Sequence, residues 1–233
     1  YQDAGYSQVW GSQYFGFLTP LQVNLKLGAL ASTTGSATLY ALVLANQTTA
    51  VPSGTAYTDD YQNGDTAVTI NDVQGSTAPG TCSGTAASDP YFPFNVTATV
   101  QKNCSVSASD LSLGSVAAWG TAGSGSSSLS IACSYTTPYY VGLQPLNVAS
   151  TTGAGTMKGA ISGNASTVTY QLYSNAGLSK VWGNTATSTS VGNGVAGTGT
   201  GSAQPLTVYA KVTGSTDVQA DTYTDTVQVN VNY

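Results

Sequence analysis

The sequence contains no histidine, arginine or glutamate, and charged residues make up only 6% of its 233 positions. Soluble domains usually carry about 25% charged residues. Without histidine, the chain cannot form a histidine-based catalytic triad or a histidine-rich metal site. Its net charge of −5 and its lack of arginine disfavour nucleic-acid binding, because basic side chains must neutralise the phosphates. We therefore expect a protein that is not an enzyme and that binds no cofactor, metal ion or nucleic acid.

Long apolar runs are missing as well, since none reaches the roughly 18 residues that a membrane helix needs. Strong helix formers are scarce, and glycine interrupts most of the stretches that might otherwise propagate a helix. We therefore expect neither insertion into a membrane nor a helical fold. The sequence begins at Tyr1 without the features of a nascent chain, which predicts that an upstream piece has been removed.

Several segments alternate apolar and polar residues with the period of two that is typical of half-buried β-strands. These segments are residues 21–27, 37–43, 206–212 and 227–233. Turns rich in glycine, serine, threonine and asparagine join them. Many short strands separated by such turns predict an all-β protein built as a sandwich or a barrel.

An internal repeat divides the chain into two units. Three pairs of segments match in the same order: 1–11 with 173–183, 37–43 with 206–212, and 54–59 with 220–225. The two segments of the first pair both end in Val-Trp-Gly. Residues 1 to about 75 therefore correspond to the C-terminal part of the second unit.

The first unit has no counterpart of the roughly seventy residues that precede Tyr173 in the second unit. Half a sandwich leaves its apolar face and its strand edges uncovered. We therefore expect residues 1–88 to form the C-terminal half of a sandwich with a linker over 75–89, and residues 89–233 to form a near-complete sandwich. Another molecule or an upstream segment would complete the first unit.

The chain has three cysteines, of which Cys104 and Cys133 lie in strand-like segments. A disulfide between them would join two strands and stabilise the fold by about 3–4 kcal/mol, because it closes a long loop. The alternative is two buried free thiols. Cys82 lies in a Gly/Ser/Thr-rich segment and has no partner left. An unpaired cysteine predicts a free thiol or a bond to another chain.

Four stretches of the second unit resemble the spore coat U domain family, which is found in archaic-type chaperone–usher pili of Gram-negative bacteria. They are residues 96–114, 130–133, 168–183 and 223–233. The resemblance implies an immunoglobulin-like pilin sandwich that lacks one strand, which the N-terminal extension of the next subunit supplies by donor-strand complementation.

The same resemblance implies a set of partners and a location. The partners would be copies of this chain or other pilins, a periplasmic chaperone that caps the groove, and an outer-membrane usher. The protein would pass through the periplasm and end in an extracellular surface fibre. The C-terminal strand would be the assembly edge, with Val227, Val229, Val231 and Tyr233 on one face. Two such domains in one chain are typical of the tip adhesin, whereas a shaft pilin has one.

The two copies differ after the shared Val-Trp-Gly run, where the second copy is polar. The first copy carries Tyr14, Phe15, Phe17, Leu18 and Pro20 instead. Exposed aromatic residues are costly unless they bind something, so this segment is a candidate adhesive loop that would support surface attachment and biofilm formation. Alternatively, these residues pack against the missing half of the first unit or against a neighbouring subunit.

Two functions from different classes fit the sequence. The first is a structural or adhesive subunit of an extracellular bacterial fibre. The second is a secreted carbohydrate-binding or matrix protein that shares only the β-sandwich fold. Long filaments of the purified protein, and a donor strand in its groove, would favour the first.

Overall fold

The computed structural model describes residues 1–11, 20–27, 32–45, 51–62, 66–71, 74, 77, 85–120 and 123–233, with only the backbone at 67 and 85–90. The chain divides into two compact units. Unit 1 comprises Tyr1–Asn46 and Ala56–Ala98, and unit 2 comprises Gln47–Thr55 and Thr99–Tyr233. The polypeptide therefore crosses between the units more than once.

The described residues form thirteen β-strands and no α-helix, which confirms the all-β prediction. The first four are β1 (Ala56–Tyr61), β2 (Ala67–Ile70), β3 (Thr85–Tyr91) and β4 (Phe94–Thr99). The next five are β5 (Cys104–Ala108), β6 (Ser124–Cys133), β7 (Pro138–Pro145), β8 (Ala154–Gly159) and β9 (Thr167–Tyr173). The last four are β10 (Val195–Thr198), β11 (Ala203–Val212), β12 (Tyr223–Thr224) and β13 (Val227–Asn232).

Unit 2 is an immunoglobulin-like β-sandwich. One sheet has six strands in the order β12-β8-β9-β11-β6-β5, and the other has three in the order β10-β7-β13. The ladders are antiparallel, so side chains alternate between the core and the outside. The core between the sheets contains Leu129, Ile131, Tyr139, Val141, Leu143, Tyr170, Leu172 and Trp182.

A tyrosine at the start of β12 fixes the corner that leads into the last strand. The hydroxyl of Tyr223 donates to the carbonyl of Gln219, four residues upstream, at 2.7 Å. This arrangement is the tyrosine corner that is common in Greek-key sandwiches. It holds the approach to β13, the strand on which the candidate site depends.

Unit 1 contains two small sheets, one formed by β1 and β4 and the other by β2 and β3. The predicted strands at 21–27 and 37–43 are wrong, because neither segment is a strand in the structure. Leu27 and Val43 are 63% and 71% exposed. A strand needs a hydrogen-bonded neighbour, and an alternating sequence alone does not supply one.

Part of the predicted linker is a β-strand in the structure. Residues 85–91 form β3, which pairs with β2, although the sequence predicts a linker over 75–89. The composition of small polar residues suggested a flexible connection, but such residues are accepted in a short edge strand as well.

The internal repeat is visible as the same turn in both copies. The carboxylate of Asp3 accepts the N–H of Gln8 at 2.7 Å, and the side-chain oxygen of Asn175 accepts the N–H of Lys180 at 2.8 Å. In each copy the residue three positions later has a positive φ, 54° in the first and 51° in the second. The backbone N–H of Gln8 is the largest influence that lowers the pKa of Asp3.

The residues that open this turn also have equivalent partners. Tyr1 and Tyr40 exchange both backbone hydrogen bonds, at 2.7 and 3.0 Å. In unit 2, Tyr173 lies opposite Tyr209 in the ladder between β9 and β11. Unit 1 therefore keeps one of the backbone pairings of unit 2. The described residues of unit 1 do not include the strands that surround this pairing in unit 2.

The tryptophan of the repeat shows what unit 1 lacks. Trp182 is 1% exposed, and its indole Nε1 donates to the carbonyl of Val141 on β7 at 2.8 Å. Trp10 is only half-buried and stacks instead against Tyr61, Phe92 and Phe94, with ring centroids 5.9–6.5 Å apart. Among the described residues of unit 1, no strand takes the place of β7.

Candidate assembly edge

Strand β13 lies at the edge of the three-stranded sheet, and β7 is the one described strand that pairs with it. In this antiparallel ladder, Val227, Val229 and Val231 lie opposite Pro145, Leu143 and Val141. Alternate residues of such a strand direct their N–H and C=O groups to opposite sides.

Hydrogen bonds made by β7 determine which residues of β13 face the open side of the sheet. The N–H of Leu146 donates to the carbonyl of Thr226 at 2.9 Å, so this pair is hydrogen-bonded. The N–H of Leu143 instead donates to Gly183, on the side of β7 away from β13. Hydrogen-bonded and non-hydrogen-bonded pairs alternate along an antiparallel ladder. The backbone groups of the even-numbered residues of β13 therefore bond to β7.

The backbone groups of Val227, Val229 and Val231 therefore point to the open side of the sheet. We call these three residues the edge valines, and Gln228, Asn230 and Asn232 the ladder residues. The edge valines also direct their side chains inward, where they pack against the core yet stay half-exposed. An edge strand with its apolar face partly uncovered lacks a neighbouring strand on that side.

The facing strand β5 has the same deficit. Val106 lies directly opposite Ile131 of β6, so the two side chains share the inner face of the sheet. Ile131 is 0% exposed, whereas Val106 is 43% exposed. Since β5 and β13 approach each other at this side of the sandwich, Val106 and the edge valines border one uncovered strip, which we call the open groove.

The segment after β5 closes one end of the interior. A Cβ on Gly125 of β6 would come within 2.1 Å of the carbonyl oxygen of Ser112. The absence of a side chain at Gly125 therefore lets the backbone of residues 111–113 cross the inner face of β6. Leu111 and Leu113 pack against the core from this segment and remain half-exposed.

A chain of amides holds β13 from its outer face. Asn184 donates to Gln144 of β7 and accepts a hydrogen bond from Asn230 of β13, both at 3.1 Å. Gln228 donates to Asn230 at 3.1 Å as well. Asn184 lies over Gly142, where a Cβ would meet its Oδ1 at 2.3 Å. These contacts fix a strand that has a ladder partner on one side only.

The carboxylate of Asp225 anchors the residues just before β13. It accepts the N–H of Asn147 at 3.0 Å and the hydroxyl of Tyr170 at 2.9 Å. Burial raises the pKa of Tyr170 well above its usual range, and the hydrogen bond to Asp225 raises it further. Tyr170 therefore stays a hydrogen-bond donor at any physiological pH.

The predicted disulfide is confirmed: Cys104 and Cys133 are bonded, with an S–S distance of 2.04 Å. They lie opposite each other on β5 and β6, so the bond ties the strand that borders the open groove to the centre of the sheet. Cys82 lies outside the described residues, and its partner stays a prediction.

The candidate adhesive loop falls mostly outside the described residues, which exclude Tyr14, Phe15, Phe17 and Leu18. Pro20 is described and is exposed. At the assembly edge, Tyr233 follows β13 and is exposed. Among the described residues, no group of three or more potential ligands could hold a metal ion, and no helix could span a membrane.

A family model, described as the Spore Coat Protein U domain, matches residues 91–230, which is more than half of the chain. The chain belongs to the Spore Coat Protein U domain family. The match starts at the last residue of β3 and covers β4 to β12 and the first four residues of β13. Most of unit 1 lies outside it.

Several solved chains match this member of the Spore Coat Protein U domain family. One of them is in the CsuC–CsuE chaperone–tip adhesion subunit pre-assembly complex from the archaic chaperone–usher Csu pili of Acinetobacter baumannii. The identity is 24% and the TM-score is 0.42, over 64% of this chain and 45% of that chain. This chain therefore spans less than half the length of the matched one. No curated protein matches the sequence.

The alternation of the edge valines is readable in the sequence, whereas the residues that hold them are not. The bond between Asn184 and Asn230 joins residues 46 positions apart, and no pattern in the sequence links them. Glycine at 142 inside a strand was the available signal, because a glycine there often marks a close approach of another segment.

Proposed function

We propose that this protein is a subunit of an extracellular bacterial fibre of the chaperone–usher type, assembled by donor-strand complementation. Membership of the Spore Coat Protein U domain family supports it, and the open groove carries it. The groove offers the two things that a donated strand needs: backbone groups at the edge valines that no described strand pairs, and an uncovered apolar strip beside Val106.

The energetic reason for strand donation lies in the half-exposed side chains. Each fully buried valine or leucine contributes about 1.5–3 kcal/mol relative to an exposed one. Covering Val106 and the edge valines would recover a part of that for four side chains. A donated strand would also pair backbone groups that otherwise face water. In the fibre, this binding free energy adds to the stability of the subunit.

The assembly route follows from the same groove. During secretion a periplasmic chaperone would cover the groove, and an outer-membrane usher would exchange it for the strand of the next subunit, which is a copy of this chain or another pilin. The final location is the cell surface. A soluble carbohydrate-binding or matrix protein would need no uncovered groove of this kind.

Amide hydrogen exchange tests the proposal within a single strand. In the free chain we expect the amides of the edge valines to exchange fast and those of the ladder residues to be protected by β7. In the purified fibre, the edge valines should become protected by roughly 100-fold or more. The ladder residues serve as the internal control, because their protection should already be present in the free chain. Fast exchange at the edge valines in the fibre would refute strand donation.

The adhesive role is a separate part of the proposal and depends on residues 14–20. The difference in sequence between the two copies supports it, because the second copy is polar at the equivalent position. Replacing Tyr14, Phe15, Phe17 and Leu18 by the corresponding residues of the second copy, Ala186, Thr187, Thr189 and Ser190, should reduce attachment of the fibre to apolar surfaces and biofilm formation. The number of fibres per cell should not change. Unchanged attachment would assign these aromatic residues to packing instead.

A further inference from the structure

The outer face of the six-stranded sheet is exposed and dominated by hydroxyl groups. Ala210 of β11 and Leu172 of β9 are buried in the core. Because side chains alternate along a strand, the residues on either side of them point away from the core. The exposed residues of this outer face include Ser124, Ser126, Ser128, Thr167, Thr169 and Thr207. Their hydroxyl groups both donate and accept hydrogen bonds, as the hydroxyl groups of a sugar do.

Two tyrosines and a valine cross this face in one row. Tyr209 lies directly opposite Tyr173 of β9, and Val181 forms a β-bridge with Tyr173. On its other side, Tyr209 lies opposite Ser126 of β6. Residues that lie opposite each other in antiparallel ladders share a face of the sheet. Both tyrosines are half-buried, and Val181 is 48% exposed. We call Tyr173, Val181 and Tyr209 the tyrosine strip, which offers ring and aliphatic surface among the hydroxyl groups.

The same face carries positive charge, although the net charge of the chain is −5. Lys211 lies opposite Gln171, two residues along the strands from the tyrosine strip, and Lys158 of β8 lies opposite Thr167. Both lysines are exposed. The six strands of this sheet contain two of the five lysines of the chain and none of its ten aspartates. The face therefore has a locally positive potential, which attracts an anion.

The separation of the two lysines sets the size of the ligand. They lie on the two strands that flank β9, opposite residues of β9 that are four positions apart. With about 4.8 Å between strands and about 3.4 Å per residue, their Cα atoms are about 17 Å apart. A small anion cannot reach both. Along β9 the order is Lys158, Lys211 and the tyrosine strip, so one extended anionic chain meets all three.

We infer that the outer face of the six-stranded sheet binds an anionic polysaccharide, a chain of uronic-acid sugars. The carboxylates pair with Lys158 and Lys211 in charge-assisted hydrogen bonds. The apolar faces of the sugar rings lie on the tyrosine strip, and the sugar hydroxyls bond to the surrounding serine and threonine side chains. Nucleic acid fits less well, because its dense phosphates require many more cations than two lysines. The site does not depend on strand donation, since the open groove lies at the edge between β5 and β13.

Binding of the purified full chain to polygalacturonate, measured by biolayer interferometry at low ionic strength, tests this inference. Fully methyl-esterified polygalacturonate is the matched ligand, because it keeps the sugar chain and loses the carboxylates. Inorganic polyphosphate is the second comparison, because it is an anionic polymer without sugar rings. We expect polygalacturonate to bind roughly tenfold more tightly than its methyl ester, and added salt to weaken this binding, because exposed charges are screened.

Four variants locate the site on the sheet. Lys158→Gln combined with Lys211→Gln should weaken binding to polygalacturonate roughly tenfold, because each exposed charge contributes about a factor of three. The corresponding double substitution to arginine keeps both charges and should retain binding. Lys102→Gln removes an exposed lysine outside the sheet and should have no effect. Tyr209→Ser should weaken binding to polygalacturonate several-fold and leave binding to polyphosphate unchanged, since a sugar ring lies on the tyrosine and a phosphate does not.

The outcomes that would overturn the inference are distinct. One is no binding to polygalacturonate at low ionic strength, and another is an equal loss on Lys102→Gln, which would show attraction to charge outside this face. Equally tight binding of the methyl ester would exclude recognition of the carboxylates. An equal effect of Tyr209→Ser on both polymers, or no effect, would exclude recognition of the sugar. Val181→Ser replaces this variant if Tyr209→Ser lowers the urea midpoint of unfolding. Amide exchange at the edge valines reports on strand donation separately, so the failure of either proposal can be recognised.

Discussion

Removing the disulfide should destabilise unit 2 by an amount that follows from the length of the loop it closes. Cys104 and Cys133 are 29 residues apart. In the chain-entropy treatment, closing a loop of that length removes about 12 cal/mol/K from the unfolded chain, or about 3.6 kcal/mol at 25 °C. We therefore expect Cys104→Ala combined with Cys133→Ala to lower the free energy of unfolding by about 3–4 kcal/mol. The corresponding fall in melting temperature is roughly 10–15 °C.

Urea denaturation of the free chain measures this loss. The urea concentration at the midpoint of unfolding falls with the free energy of unfolding, and for two-state folding the slope of that free energy against urea concentration can be interpreted. The unchanged protein treated with a reductant is the matched comparison and should unfold near the midpoint of the double variant. Ser107→Ala, on the exposed face of the same strand, is the control and should stay within about 0.5 kcal/mol. A double variant that unfolds at the midpoint of the oxidised protein would refute the reasoning, since the crosslink would then not limit the unfolded chain.

Three smaller perturbations test the supports of the edge and the repeat. Tyr170→Phe removes a hydrogen bond to a carboxylate and should cost about 1.5–3 kcal/mol in urea denaturation. Gly142→Ala should displace Asn184 and cost about 1–3 kcal/mol, with faster amide exchange in the ladder residues. For Asp3, a lowered pKa means that its hydrogen bonds stabilise the turn above the unfolded value of about 3.9 and are lost as the pH falls through the folded value. The amide resonance of Gln8 should therefore shift on acidification, whereas the equivalent turn at Asn175, which cannot titrate, should not change.

The predictions that succeeded were those in which a local pattern has a partner within the chain. Residues 206–212 and 227–232 are strands because β6 and β7 pair with them. The cysteine contexts predicted the bond between β5 and β6 for the same reason. The segment 21–27 has an equally regular pattern, yet it is not a strand in the structure. Alternation fixes which face is apolar, and the presence of a neighbouring strand decides whether a ladder forms.

Other features depend on register, which the sequence does not reveal. Which residues of β13 face the open side follows from the pairing of Val227 with Pro145, a contact between positions far apart in sequence. A shift by one residue would exchange the roles of the edge valines and the ladder residues.

Strand β13 also lacks the devices by which proteins usually protect a sheet edge. The sequence from Val227 to Tyr233 contains no lysine, no other charged residue and no proline. An unguarded, alternating edge of this kind recruits any compatible strand, including that of an identical chain, and promotes aggregation. The feature that would make the protein polymerise in order therefore makes the isolated chain hazardous to the cell that produces it. An excess of the free chain over its strand-donating partners should therefore appear first as insoluble protein.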